Sequence, residues 1–482
     1  MTMKLSDSTT VAETTKCVFC EVKNMDKSGR DEKQYIKMTQ TSIPKLVTKL
    51  AIPTTISMLV TSIYSLADTF FVSQLSTSAS SAVGIVFSLQ TIVQAVGFTL
   101  GMGAGSLLAR RLGEKNKKAA DVYASTAFFT AIAIGAIIMV SGLLFTPQIM
   151  RLLGATDTNI DYTIAYGNNI IIGVPFICAS FVLNNILRSE GKAALSMIGL
   201  TTGGILNIIL DPIFIFTLNM ETAGAALATL ISQAVSFVIL LSMFIFKKSN
   251  INLSIKNISL KAKTYGEIIS TGMPSLSRQG LASVATVLLN TAANPYGDAA
   301  IAGMSITTKV AMLVFCICIG IGQGFMPVAG YNYGAKRFDR VKKAFRFTLI
   351  TDSIIMILLA VSIFIFAPSI MKIFRAEDMQ VIEIGTAAMR AQCLAMPFMA
   401  TTIVANSLLQ SVGKSIPATI LSCCRQGLFF IPLILILPRM WQINGIEYSQ
   451  AISDTMTFLV SVPFTIWFFK NLKKEQKITP TE

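Results

Sequence analysis

Long apolar runs alternate with short polar stretches along almost the whole chain. Twelve runs are long enough to form helices that cross a bilayer: 48–73, 79–108, 122–146, 160–186, 195–217, 223–246, 266–290, 300–327, 347–367, 381–409, 415–437 and 446–469. A span needs about 20 residues, so the longer runs predict tilt or interfacial ends. Around them the pattern is polar. Residues 1–43 have mixed charge and no apolar core of a signal peptide, and read as a disordered cytoplasmic tail. Residues 249–263 read as a polar linker between a first lobe, 44–248, with helices 1–6 and a second lobe, 264–470, with helices 7–12; residues 471–482 form a C-terminal tail. The predicted fold class is an all-α integral membrane protein with twelve transmembrane helices in two six-helix lobes.

Composition supports this reading. Of the 482 residues, 53% are hydrophobic and 13% charged, with a mean hydropathy of +0.64. A soluble domain carries about 25% charged residues, so this chain has too few to cover a water-exposed surface. Disorder, collagen and a disulfide scaffold are excluded. Histidine is absent, which removes His-based triads, general bases and metal sites. No enzyme constellation and no metal cluster is visible.

The net charge is +15. Of the 40 Lys and Arg, 32 fall in the termini and in the connections on their side of the membrane, and only Arg151, Lys372, Arg375 and Arg439 fall on the opposite side. Positive residues accumulate on the cytoplasmic side, so both termini are expected there. The charge lines a rim facing anionic lipid headgroups rather than a nucleic acid. Cys17 and Cys20 form a CxxC without a second ligand pair, and the other cysteines sit in or beside helices as inert thiols.

The two halves align at an offset of 221–222 residues. Pro53 matches Pro274, Gly101 and Gly103 match Gly322 and Gly324, and Gly113 matches Gly334. Pro175-Phe176 matches Pro397-Phe398. Asn184, Ser189, Gly191 and Lys192 match Asn406, Ser411, Gly413 and Lys414. The matched residues are mostly glycine and proline, the residues of close helix contacts and kinks. Six helices per repeat relate the lobes by an axis along the membrane normal, a transporter design.

Ionisable residues within spans are costly and need an explanation. Asp68 lies about 7 Å below the outer end of helix 1 at the helical rise. Asp211 lies at similar depth in helix 5, with Asn207 four residues earlier on the same face, and Thr229 lies at that depth in helix 6. Pro212 can free the carbonyl of Ile208 as a further ligand. Oxygen ligands of this kind suit a small hard cation, and equally a proton. The competing reading is local pairing of each acid with hydroxyls such as Thr69. The second lobe lacks this set; it carries Arg278, Lys309, Asp352, Arg425 and Asp454, expected to pair internally, for instance Asp454 with Arg278 or Lys309. Asp454 is also a secondary candidate for a proton-sensitive site.

These segments resemble the MATE (multidrug and toxic compound extrusion) transporters, in their DinF-like bacterial and archaeal branch. The resemblance covers roughly residues 44–470. It rests on Ser65-Leu-Ala-Asp68-Thr69, Gly101-Met-Gly-Ala-Gly105, Leu206-Asn207-Ile-Ile-Leu-Asp211-Pro212, Gly224-Ala-Ala-Leu-Ala-Thr229 and Gly322-Gln-Gly-Phe-Met-Pro327, in order. It implies export of amphipathic, often cationic compounds by H+ or Na+ antiport through alternating access. It also implies that Asp68, Asn207, Asp211 and Thr229 bind the coupling cation, with no other cofactor. Tyr64, Asp68, Gln90, Gln94 and Met102 are the candidates for lining the substrate cavity, placed at the centre of the first lobe, where an amphipathic cation would meet Asp68. A monomer in a bacterial or archaeal cytoplasmic membrane is expected. The alternatives are a flippase of a lipid-linked or polysaccharide precursor and a dedicated metabolite exporter of the same fold.

Overall fold

A computed structural model of the chain describes residues 29–75, 77–374 and 378–478. Every regular element among them is helical. The first lobe comprises α1 (Ile43–Ser73), α2 (Thr77–Gly113), α3 (Lys117–Leu144), α4 (Ile160–Ser189), α5 (Ala193–Pro212, extended by a π-helical turn Ile213–Thr217) and α6 (Glu221–Ile245). The second comprises α7 (Ala262–Ala293), α8 (Asp298–Gly334), α9 (Phe338–Phe374) and α10 (Met379–Ser411). It is completed by α11 (Ser415–Cys423, a π turn Cys424–Phe429, then Phe430–Trp441) and α12 (Ile443–Ile478).

Among the described residues, eleven spans are long and apolar enough to cross a membrane. The twelfth predicted helix, α7, has 32 residues but carries Glu267, Arg278, Gln279 and several hydroxyls. Its position accounts for its polarity. It packs along α2 of the other lobe as well as on α11, and its Thr271 and Ser275 are buried, the Thr271 carbonyl and Ser275 Oγ accepting from Gln410 of α10. Several helices outrun their apolar segments. For example, α2 continues through Arg110 and Arg111 to Gly113, because charged residues at a helix end are solvated without breaking the hydrogen-bond ladder.

The expectation of a disordered tail over 1–43 is corrected where the chain is described. Residues 29–40 form a helix. It lies across the face from which α1 starts and at which α12 ends, and it touches both lobes. Asp31 pairs with Lys117 at 2.5 Å, and Gln34 donates to the Glu190 carbonyl at 2.5 Å, both in the first lobe. In the second lobe, Asn332 donates to the Met38 carbonyl at 3.2 Å, and Arg337 and Arg340 donate to the carbonyls of Thr39 and Thr41. The sequence reading missed this helix because its polarity is that of an interfacial element. Only a few residues, such as Met38, are buried. The Cys17–Cys20 motif lies outside the described residues.

The lobes meet through α1 against α8 and α2 against α7 and α8. These contacts occupy the halves of the helices nearest the termini, and glycine makes them possible. A Cβ on Gly103 would strike the Ile268 carbonyl, one on Gly272 the Thr99 carbonyl, and one on Gly324 the backbone of Ala51. Gly103 and Gly324 are partners in the internal repeat, so one seam is repeated by the duplication. Beyond this seal, toward the opposite face, the lobes enclose a cavity. The repeat also recurs within the lobes. Asn184 donates to the Ser196 carbonyl at 3.2 Å, and its match Asn406 donates to the Ala418 carbonyl at 2.7 Å. Each tie joins one helix to the next. Gly191 and Gly413 close the turns between those helices at φ of 87° and 81°, a conformation that favours glycine.

Candidate functional site

Two sites stand apart. The first lies inside the first lobe, where α1, α4, α5 and α6 converge. Asp211 is fully buried, and Asn207, Thr229 and Tyr166 are at most 7% exposed. The four-residue spacing on α5 lets Asn207 and Asp211 share a face. The two amide hydrogens of Asn207 serve Asp211 Oδ1 at 3.1 Å and Thr229 Oγ1 at 3.2 Å. Asp68 of α1 accepts a hydrogen bond from the Tyr166 hydroxyl at 3.1 Å, and the charges of Asp68 and Asp211 are within reach of one another. Thr69, the alternative partner for Asp68, instead donates to the Ser65 carbonyl.

Three oxygens of this set have no partner: Asp68 Oδ1, Asn207 Oδ1 and Asp211 Oδ2. Among the described residues neither acid forms an ion pair. A buried carboxylate with one oxygen unbonded and no counter-charge is costly. Chemically, such a set can take up positive charge, as a proton or as a small cation ligated by oxygen. Asp68, Asn207, Asp211 and Thr229, far apart in sequence, are brought together as expected from their matched depth. Tyr166 was missed. A tyrosine within an apolar span carries a signal in its polar tip, but nothing distinguishes it from Tyr162 one turn earlier.

The second site is the cavity between the lobes, with a volume of about 320 Å³. Met58, Thr61 and Ser62 of α1 and Gln94 and Phe98 of α2 form one wall. The facing wall includes Arg278 and Gln279 of α7, Phe315 of α8, Gln392 of α10, Arg425 and Gln426 of α11, and Asp454 of α12. Asp454 is 5% exposed and receives Arg425 Nε at 2.7 Å and Gln450 Nε2 at 3.0 Å. The Arg425 guanidinium also lies 4.2 Å over the Phe315 ring. The expected partners of Asp454, Arg278 or Lys309, are thus corrected to Arg425, one helix away on α11. Lys309 is exposed on α8, and Asp352 is buried, accepting from Cys318 at 3.0 Å.

Of the five candidates for lining the substrate cavity, Gln94 does line it. Met102 borders a small pocket beside it, with Arg278 and Gln323. Tyr64 borders a separate small pocket with Gln233 and Ser236. Asp68 and Gln90 line neither cavity. The Asp68 side chain turns into the first lobe, toward Tyr166, and does not line the cavity between the lobes. Sequence reasoning also missed a buried group beside the cavity, in which Arg188 donates to Gln323, Asn185 and Met102 Sδ.

Comparison with known proteins agrees with this architecture. The MatE family profile matches residues 53–213 and 274–436, one block per lobe. The multidrug export protein MepA of Staphylococcus haemolyticus is 26% identical over 441 residues, covering 91% of this chain and 97% of that protein. A crystal structure of a MATE transporter in complex with MaL6 superposes with a TM-score of 0.87 at 25% identity, covering 92% of this chain and 99% of the other. An outward-facing multidrug resistance transporter of the same family superposes with a TM-score of 0.86 at 25% identity, covering 91% and 98%.

Proposed function

The chain belongs to the MatE family, and from that premise we propose that it exports amphipathic small molecules across a bacterial cytoplasmic membrane in exchange for H+ or Na+. The relatives named multidrug export proteins support export of many compounds rather than one. The distribution of basic residues supports a cytoplasmic location for the face bearing the termini.

The observation that carries the proposal is the separation of two sites joined by one helix. Helix α1 presents Asp68 to the oxygen cluster, lines the cavity with Met58, Thr61 and Ser62, and makes the seal against α8 at Ala51 and Thr55. Asp68, Asn207, Asp211 and Thr229 hold the cation, and Tyr166 fixes one Asp68 oxygen so that the other stays free for it. Binding there neutralises charge inside the first lobe and favours a different setting of α1. That change alters the cavity wall and the seal together. Coupling of this kind requires that each ligand bind the two states unequally.

The test is efflux from proteoliposomes with a Na+ gradient and a proton gradient imposed separately. One gradient should drive efflux in the wild type, and Asp68→Asn should abolish the response while insertion and thermal stability are retained. Gradient-driven efflux of normal size by Asp68→Asn would remove the cluster from the mechanism.

A further inference from the structure

The central cavity is basic on one side. Three charged side chains line it among the described residues: Arg278, Arg425 and Asp454. Asp454 is committed to Arg425 by the 2.7 Å contact. Among the described residues Arg278 has no acidic partner and donates no hydrogen bond, and its Nε is buried without an acceptor. Besides Arg425, whose charge reaches Arg278, the polar side chains lining the cavity include the neutral Gln279, Gln323, Gln392 and Gln426. Arg188 lies close enough to Arg278 for their charges to interact, and it too is bonded only to neutral acceptors. The acids of the first lobe cannot answer this charge, because they face Tyr166 and each other rather than the cavity.

We propose that the second-lobe wall of this cavity is an acid-binding subsite, in which Arg278 receives a carboxylate carried by the exported compound. An arginine fork offers paired donors that match the two oxygens of a carboxylate. Arg425 cannot take that role while Asp454 holds it, but it flanks the subsite and adds to the positive field. The rest of the wall suits the body of an aromatic compound, with Phe315, Met304, Met312 and Phe430. One uncompensated positive charge lining the cavity matches one carboxylate. A pyrophosphate-linked lipid head carries more negative charge than this wall neutralises, so the geometry disfavours the flippase alternative. The inference rests on the reading that this cavity carries the exported compound, and it makes the preferred class acidic or zwitterionic amphiphiles.

The test uses two dyes that differ only at the acid group: rhodamine 110, with a free carboxyl, and rhodamine 123, its methyl ester. Binding of each to the full-length protein in nanodiscs is read by fluorescence polarisation. The wild type should bind the acid about ten-fold tighter than the ester, the size of one charge-assisted hydrogen-bond pair. Arg278→Gln should bring the ratio to about one, Arg278→Lys should restore part of it, and Asp454→Asn should raise it by removing the competing negative charge. An unchanged ratio in Arg278→Gln, or a wild-type preference for the ester, overturns the subsite, and so does failure of the wild type to bind either dye. Failure of export is distinguishable. If no gradient drives efflux of either dye while the Arg278-dependent ratio persists, the transport reading falls and the subsite stands.

Discussion

Filling the glycine seam between the lobes should push the molecule out of the state described above. Gly103 of α2 faces the Ile268 carbonyl of α7 so closely that an added Cβ would stand about 1 Å or more inside an ordinary carbon–oxygen contact of about 3.5 Å. The obstacle is backbone, so no side-chain rotation relieves it, and the helices must part. Overpacking of a well-fitted contact costs about 1–3 kcal/mol. In a state where the lobes are apart at this face, the cost vanishes. Gly103→Ala should therefore lower the ratio of the sealed state to the opened state by about 5-fold to 150-fold. The assay is a distance distribution by pulsed electron resonance between spin labels at the exposed positions Lys118 and Lys343, one in each lobe on the sealed face. The variant should gain or enlarge a longer-distance population. Gly324→Ala, the repeat-related position against Ala51, should do the same. Gly84→Ala is the control, since nothing lies within 4 Å of a Cβ there. A folded Gly103→Ala variant with the wild-type distribution would refute the reasoning, because the seam would then tolerate a methyl group without opening.

Removal of residues 1–41 should act in the same direction, since the helix over 29–40 bonds to Glu190 and Lys117 in one lobe and to Asn332, Arg337 and Arg340 in the other; the same two labels should report a larger long-distance population. Asn184→Ala and Asn406→Ala should each destabilise the protein by about 0.5–1.5 kcal/mol, because each removes the buried side-chain hydrogen bonds that tie one helix to the next. Thermal unfolding in detergent checks this, and equal losses are expected for the two matched positions.

The helices were legible because each must bury or expose an apolar run of bilayer length, and the run itself is in the sequence. Depth was legible for the same reason: residues rise by about 1.5 Å each along a helix, so Asp68, Asn207, Asp211 and Thr229 could be placed at one level before any packing was known. Rotation about each helix axis was not legible. Asp68 turns toward Tyr166 and away from the cavity because α5 packs on that side of α1, a fact that belongs to the neighbours. The Arg425–Asp454 pair escaped for a related reason. The two are 29 residues apart on adjacent helices, and the π turn at Cys424–Phe429 resets the face that Arg425 presents. The helix over 29–40 escaped because its few buried residues do not make an apolar run.

The internal repeat separates what the two halves share from what they do not. The shared positions are those where backbone meets backbone or closes a turn: Gly103 with Gly324, Gly191 with Gly413, Asn184 with Asn406. A change at such a place would disturb one seam without its counterpart, and a hinge that works by symmetric parting of two lobes needs both. The unmatched positions are the charged ones. At the places corresponding to Asp68 and Asp211 the second lobe has Leu289 and Leu433, and in its own interior it carries Arg278 and Arg425 instead. One lobe therefore offers unpaired oxygens and the other a single guanidinium, that of Arg278, without an acidic partner among the described residues, on a common scaffold. Two ligands of opposite charge can then be held by different lobes at different depths. In the proposed exchange, the seam made by Gly103, Gly272 and Gly324 is the contact through which a new setting of α1 and α2 would reach the second lobe.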